Sequence, residues 1–141
     1  MVKIILPMLL VAAMAIPSDP IWPNQFTQNF TETTNYEGIG THHNTGTFYY
    51  DAISMRYRVD RDNGRYDRYC GVSGPYALED TPCIHYVVDG NRYLHYPEKN
   101  ECCYCCNSSH GCGMMKTDWL SGATFEGRTT YDGQSAYKWD K

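Results

Sequence analysis

Apolar and polar residues alternate along much of this chain with the period of two that a β-strand imposes. Phe26, Gln28 and Phe30 fall on one side of residues 25–31, and Thr27, Asn29 and Thr31 on the other, which predicts a first strand. Residues 33–46 are polar, carry glycines and contain His42-His43, so a surface loop is expected there. A second strand is expected at 47–51. Met55, Tyr57 and Val59 then alternate with Arg56, Arg58 and Asp60, the cleanest half-buried strand of the chain. Its arginines read as a solvated outer face. Asp62-Asn63-Gly64 is a hairpin signal, so residues 65–69 are expected to return antiparallel.

Residues 70–83 form a Gly- and Pro-bearing loop with a cysteine at each end. A strand at 84–88, a turn at Asp89-Gly90-Asn91 and a return strand at 92–96 follow, with Ile84, Tyr86 and Val88 on one face. His85 and His95 fall on these paired strands and are expected on the aqueous side. Pro97 stops the return strand. An extended cysteine segment comes next, then one helical turn at Asp118-Trp119-Leu120. A last hairpin spans 129–139 around Asp132-Gly133. No stretch has the period of a long helix, and turn signals recur at all-β spacing. An antiparallel meander is expected.

Composition sharpens this picture. Tyrosine is abundant, with 13 copies, while Leu, Ile and Val thin out after the N-terminus. The core is therefore expected to be small and aromatic, and helped by covalent staples. The net charge of −4 lacks the basic stripe of a nucleic-acid binder. Lys3, the apolar run 4–14 and Ala13-Met14-Ala15 match a signal peptide. Residues 1–15 are expected to be removed and 16–141 to form one domain. The apolar run falls well short of the roughly 20 residues that span a bilayer, so no transmembrane segment is expected. Secretion follows as the expected location. Asn29-Phe30-Thr31 and Asn107-Ser108-Ser109 are glycosylation sequons.

Five of the seven cysteines lie in Glu-Cys-Cys-Tyr-Cys-Cys-Asn-Ser-Ser-His-Gly-Cys, residues 101–112. In an oxidising compartment, disulfides among Cys70, Cys83, Cys102, Cys103, Cys105, Cys106 and Cys112 are the expectation. Their pairing cannot be read from spacing. On an extended segment Cys103 and Cys105 share one face, and Cys102 and Cys106 the other. The odd count leaves one sulfur to stay free or to bond another molecule. A thiolate metal site including His110 is the alternative, but crowded vicinal pairs lack the separated Cys-x-x-Cys spacing of zinc sites. Adjacent His42 and His43 point apart on an extended chain and have no partners at ligand spacing. No nucleophile elbow, zincin helix or phosphate-cradling loop is present, so no catalytic activity is expected.

The order of these pieces resembles the ependymin family of secreted glycoproteins. Phe48-Tyr49-Tyr50-Asp51 followed by Met55-Arg56-Tyr57-Arg58-Val59 resembles the family's aromatic-Tyr-Asp and Arg-Val-Arg strand pair. Residues 86–96 resemble the hairpin that leads through a short turn to a cysteine, here Cys102. Thr124-Phe125-Glu126 and Trp139 resemble two later elements. The likeness covers residues 46–139. It implies two stacked, curved antiparallel sheets around a deep apolar pocket, a fold similar to bacterial lipoprotein carriers. It also implies association with calcium and with a hydrophobic or lipid-like ligand. The vicinal cysteine pairs exceed the family's usual set. The chain stops at Lys141 where the family continues, which makes it either a short variant or one whose C-terminal part is missing; a half-built sandwich would expose a sheet face or edge and invite association between copies.

The expected function is therefore non-catalytic binding of a hydrophobic or lipid-like ligand, with Met55, Tyr57, Val59, Tyr86 and Val88 as pocket walls. The alternatives are a matrix or adhesive glycoprotein cross-linked through its cysteines, and a thiolate metal binder. For calcium, Asp60, Asp62 and Asp67 do not follow an EF-hand pattern.

Overall fold

A computed structural model describes residues 16–36, 40–71 and 74–141. The fold is all-β, as expected, with no α-helix among the described residues. Six antiparallel strands form one meander in chain order: β1 (Gln25–Tyr36), β2 (Gly40–Asp51), β3 (Arg56–Arg61), β4 (Cys83–Val88), β5 (Asn91–Tyr96) and β6 (Glu101–Asn107). The sheet is open, with β1 and β6 at its edges. β7 (Thr124–Tyr131) and β8 (Gln134–Asp140) form a separate two-stranded sheet. The chain divides into two compact units. One, Trp22–Trp119, holds the six-stranded sheet; the other holds the β7–β8 hairpin and the segment ending at Ile21. The expected signal segment, residues 1–15, lies outside the described residues.

Local chemistry explains the turns. Asp89 and Gly90 both take positive φ, the two-residue geometry whose twist matches antiparallel strands. Asp132 and Gly133 do the same between β7 and β8. In the second unit Phe125 packs against Tyr137 and Trp139, with ring centroids 5.6 and 5.2 Å away. Gly122 N–H closes that unit's start onto the Asp19 carboxylate at 2.8 Å. No helical turn forms at Asp118-Trp119-Leu120, which lie in a run of turns.

Two expectations about the sheet are corrected. Residues 33–36 and 40–46 are not a loop: β1 continues to Tyr36 and β2 begins at Gly40, so Thr33 and Thr34 pair with His43 and His42. Both faces of this extension are polar, which removes the alternation that marks a strand. Cross-strand contacts hold it instead, including Thr33 Oγ1 and His43 Nδ1 at 3.0 Å. Residues 65–69 do not return as a strand; β3 pairs with β4. Asn63 Oδ1 accepts the Arg65 N–H at 2.8 Å and Gly64 N–H donates to Thr81 O at 2.7 Å. These bonds start the return of the chain after β3, and residues 62–71 and 74–82 lie back against one sheet face through Tyr69 and Tyr76.

That face carries the core. Tyr50, Tyr57, Val59 and Val87 form one buried cluster, joined by Trp22, Phe26 and Phe48. Cys70, Cys83, Leu94 and Tyr96 form another, with Tyr69 and Tyr76 of the returning loop against it. Burial of Leu94 or Val87 stabilises the fold by about 1.5–3 kcal/mol each. The opposite face carries a row in register across five strands: Tyr49, Arg58, Tyr86, Tyr93 and Tyr104. The Arg58 guanidinium sits 5.5 Å from the rings of both Tyr49 and Tyr86 and forks onto Asp60.

Gly46 sits where no side chain fits. A Cβ there would meet the Asp60 carbonyl oxygen at 2.0 Å and Phe30 at 2.9 Å. Gly46→Ala is expected to cost about 1–3 kcal/mol by overpacking, read as a lower urea midpoint.

Candidate ligand-binding cleft and its buried support

The sequence-predicted wall residues divide between the two sheet faces. Tyr57 pairs with Val87 and Val59 with His85 on the buried face, whereas Tyr86 pairs with Arg58 and Val88 with Arg56 on the other. Met55 lies before β3 in a turn, exposed and at φ 51°. The division arises in β4, which carries Val87 on one face and Tyr86 and Val88 on the other, so alternation does not say which face is inside. Tyr57, Tyr86 and Val88 do line one hollow of about 560 Å³. Charge surrounds it: Asp51 pairs with Arg56 at 3.4 Å, and Arg58 also lines it.

A more apolar cleft of about 540 Å³ opens on the core face. Its walls are Trp22, Phe26, Phe30, Phe48, Met115 and Trp119, with Val59 at its base. Trp22 is the hub. Its ring meets Phe26, Phe48, Tyr50 and Trp119 with centroids 5.2 to 5.6 Å away, all edge-on. Such edge-to-face contacts each contribute about 0.5–1.5 kcal/mol beyond burial. Trp22 N–H donates to Thr117 O at 2.8 Å and Tyr50 Oη to Met115 O at 2.8 Å, which tie both sides of the cleft to the sheet. The volume lies within the range of small-molecule sites. Arg61 and Glu32 supply polar groups at the rim, ion-paired to each other.

Behind the cleft runs a buried polar network that alternation in the sequence did not reveal. His85 is 1 % exposed, not on an aqueous face as expected. Arg92 donates from Nη1 to His85 Nδ1 at 3.0 Å and from Nη2 to Tyr57 Oη at 2.5 Å. Its guanidinium also lies 3.8 Å from the Tyr69 ring centroid. A guanidinium can only donate, so His85 Nδ1 is unprotonated and the ring hydrogen is on Nε2. Nε2–H points to Asp67 Oδ1 at 3.0 Å, beside Cys70 Sγ at 2.8 Å. Asp67 also pairs with Arg61 Nε at 3.0 Å and accepts the Tyr69 and Cys70 N–H groups at 2.9 Å. Burial, then the Arg61 and Arg92 charges, hold His85 below its ordinary pKa despite the Asp67 hydrogen bond. Burial works against ionised Asp67. The hydrogen bond from His85, the Arg61 charge and the Cys70 N–H outweigh it and hold the carboxyl below its usual range.

This network cannot serve the chemistry its residue types suggest. Asp67 and His85 resemble an acid–base pair, but both are sealed from solvent. Among the described residues, Cys70, Cys83 and His85 bring three potential metal-ligand atoms within 4.8 Å. They do not fit a metal. Cys70 and Cys83 are joined as a disulfide. Ligation through Nε2 would also place the ring proton on Nδ1, against the Arg92 donor. Asp60, Asp62 and Asp67 do not converge on one site: Asp60 turns to Arg58, Asp62 accepts from Thr45 Oγ1 at 2.5 Å, and Asp67 faces His85 and Arg61.

Four cysteines form two disulfides, Cys70–Cys83 and Cys106–Cys112, while Cys102, Cys103 and Cys105 remain thiols. Three thiols, not one, are therefore left over. A bulge in β6 corrects the expected faces as well. Arg92 pairs with Cys106 and Tyr93 with Tyr104, so Cys105 is the extra residue and Cys106 turns to the core side. The Cys105 sulfur lies 3.2 Å from Cys106 Sγ. Burial, then neighbouring Cys102, Cys105 and Glu101, raise the Cys103 pKa; burial also raises that of Cys105. Asn29 is exposed on β1, and Asn107 caps the turn after β6 by accepting the Ser109 N–H.

No family model, curated protein or solved structure matches the chain.

Proposed function

We propose that this chain is a secreted, non-catalytic glycoprotein that binds a hydrophobic or lipid-like ligand in the aromatic cleft between Trp22 and Trp119. The observation that carries this reading is the cleft itself, walled by aromatic rings and Met115 and rimmed by one ion pair. Asp67 holds the Nε side of Arg61, while its other partner, Glu32 at Nη1, is half-exposed and can yield to a competing carboxylate, which leaves Arg61 able to meet an anionic head group. An amphiphile with an acidic head and an apolar tail suits both parts. The ependymin-like reading belongs to the same proposal, supported by the order of short motifs from Phe48 to Trp139. The signal-like segment and the exposed sequon at Asn29 support secretion and glycosylation.

The test is calorimetric titration of the full chain with dodecanoate below its micellar range. Saturable binding with a negative heat-capacity change is expected. Trp119 is 39 % exposed, so truncating it spares most of the fold. Trp119→Ala is expected to weaken dodecanoate binding about tenfold or more, from lost apolar contact. Tyr104→Ala, on the opposite face, is expected to leave it unchanged. Binding that survives Trp119→Ala but fails in Tyr86→Ala would move the site to the other hollow. No saturable binding would sink the proposal.

A further inference from the structure

The edge strand β6 reads the same in both directions around one residue: Cys102-Cys103-Tyr104-Cys105-Cys106. β6 has a single sheet neighbour, β5. Its two core-side thiols, Cys103 and Cys105, flank Tyr104 and are half-buried and unbonded to any other sulfur. From these three observations we propose that β6 is a covalent dimerisation strand, whose partner is the β6 of a second copy. The two strands run antiparallel about a two-fold axis through Tyr104, and Cys103 of each copy bonds Cys105 of the other.

The geometry follows from symmetry. A two-fold interface requires that if residue i meets residue j, then j meets i. Centring the axis on Tyr104 sets Cys103 opposite the second copy's Cys105, and the reverse. Edge pairing of this kind extends the sheet, so the core-side faces of both copies lie on one side and the opposed thiols point the same way. Directly opposed residues in antiparallel strands have Cα atoms about 4.5–5.5 Å apart, within the range of about 4.4–6.8 Å that a disulfide spans. The two Tyr104 rings, each 55 % exposed in the single chain, meet on the other face as a cross-strand aromatic pair. The bulge at Cys105 discourages indiscriminate strand addition at this edge. The thiols, not the backbone edge alone, therefore select the partner. Cys102 lies on the opposite face, paired with His95, and takes no part.

Each bond forms by exchange with a small-molecule disulfide. Cys103 of one copy and Cys105 of the other give up two protons and two electrons and become one disulfide. The small disulfide takes them up and leaves as two thiols. Two bonds per dimer consume two such molecules.

The experiment incubates the full chain with reduced and oxidised glutathione at about pH 8.5, where thiolate is available for exchange. Free thiols are then trapped with N-ethylmaleimide and intact mass is read before and after reduction. A species of twice the chain mass is expected, carrying one trapped thiol per copy in place of three, and collapsing on reduction. Cys103→Ser alone and Cys105→Ser alone should each stay single chains. Mixed together, they should form a heterodimer with one bridge, which also shows that both variants fold. Cys102→Ser should dimerise like the parent. Dimers from Cys103→Ser alone, loss of dimer in Cys102→Ser, glutathione adducts in place of dimer, or three thiols persisting per chain would each overturn the assignment.

Discussion

Replacing Asp67 by alanine is expected to destabilise the six-stranded unit by about 3–5 kcal/mol, because it leaves Arg61 with only the half-exposed Glu32 and strips the acceptor from buried donors. The carboxylate is the ion-pair partner of Arg61 and the acceptor for His85 Nε2–H and for the N–H groups of Tyr69 and Cys70. Alanine fills none of these roles, and Asp67 is buried, with its side chain only 6 % exposed. Urea unfolding is the measurement. A loss below about 1 kcal/mol, the scale of an exposed ion pair, would show that the network is not sealed. Asp67→Asn keeps the shape and the N–H acceptor but removes the charge facing Arg61, so an intermediate loss is expected.

The same network makes stability acid-sensitive. His85 is held neutral in the folded chain, with its pKa below the ordinary value. As pH falls below about 6.5, the unfolded chain protonates this histidine while the folded chain does not. Stability conferred above that pH is lost as the pH falls toward the depressed folded pKa. Asp67 adds a second loss, beginning near pH 4, because its folded pKa is also depressed and the unfolded carboxyl protonates first. Both groups act in the same direction. His85→Gln is expected to flatten the limb between pH 6.5 and 4.5 and to shrink the lower one without abolishing it, because Arg61 and the Cys70 N–H still hold the Asp67 carboxyl down. Urea midpoints across this range would show it.

Much of the strand order was legible because its signals are local. Asp89-Gly90 and Asp132-Gly133 set their turns, and the alternation around Tyr57 and Val59 marked both the strand and its buried side. The buried network was missed because a polar side chain inside looks, in sequence, like a polar side chain outside. His85 and Arg92 are buried because they satisfy each other across paired strands, a fact of register rather than of residue type. The polar hairpin ends of β1 and β2 concealed a strand for the converse reason, since the side chains on both of their faces are polar. Cysteine faces depended on one bulged residue, Cys105, which no periodicity announces. The cleft assembles from Trp22, the first strands and residues 115–119, stretches that meet only in the fold.

Removing the Cys70–Cys83 disulfide with a double alanine variant should cost about 3 kcal/mol, the value for a closed loop of this size. The bridge pins the returning loop over Leu94, Tyr96 and His85, so its loss acts on the folded and the unfolded chain together. Two readouts separate it from Asp67→Ala. The urea m-value should rise when the cross-link is gone, because the unfolded chain then exposes more surface. Asp67→Ala should leave m unchanged. Combining the changes should give less than the sum, with a coupling of about 0.5–3 kcal/mol. The reason is direct: Asp67 accepts the Cys70 N–H, and His85 sits against both Asp67 and the Cys70 sulfur. Without the disulfide the loop lifts, water reaches the carboxylate, and much of what Asp67 contributes is already lost. Strict additivity would mean that the staple and the charged network hold the loop independently, which shared contacts at Cys70 argue against.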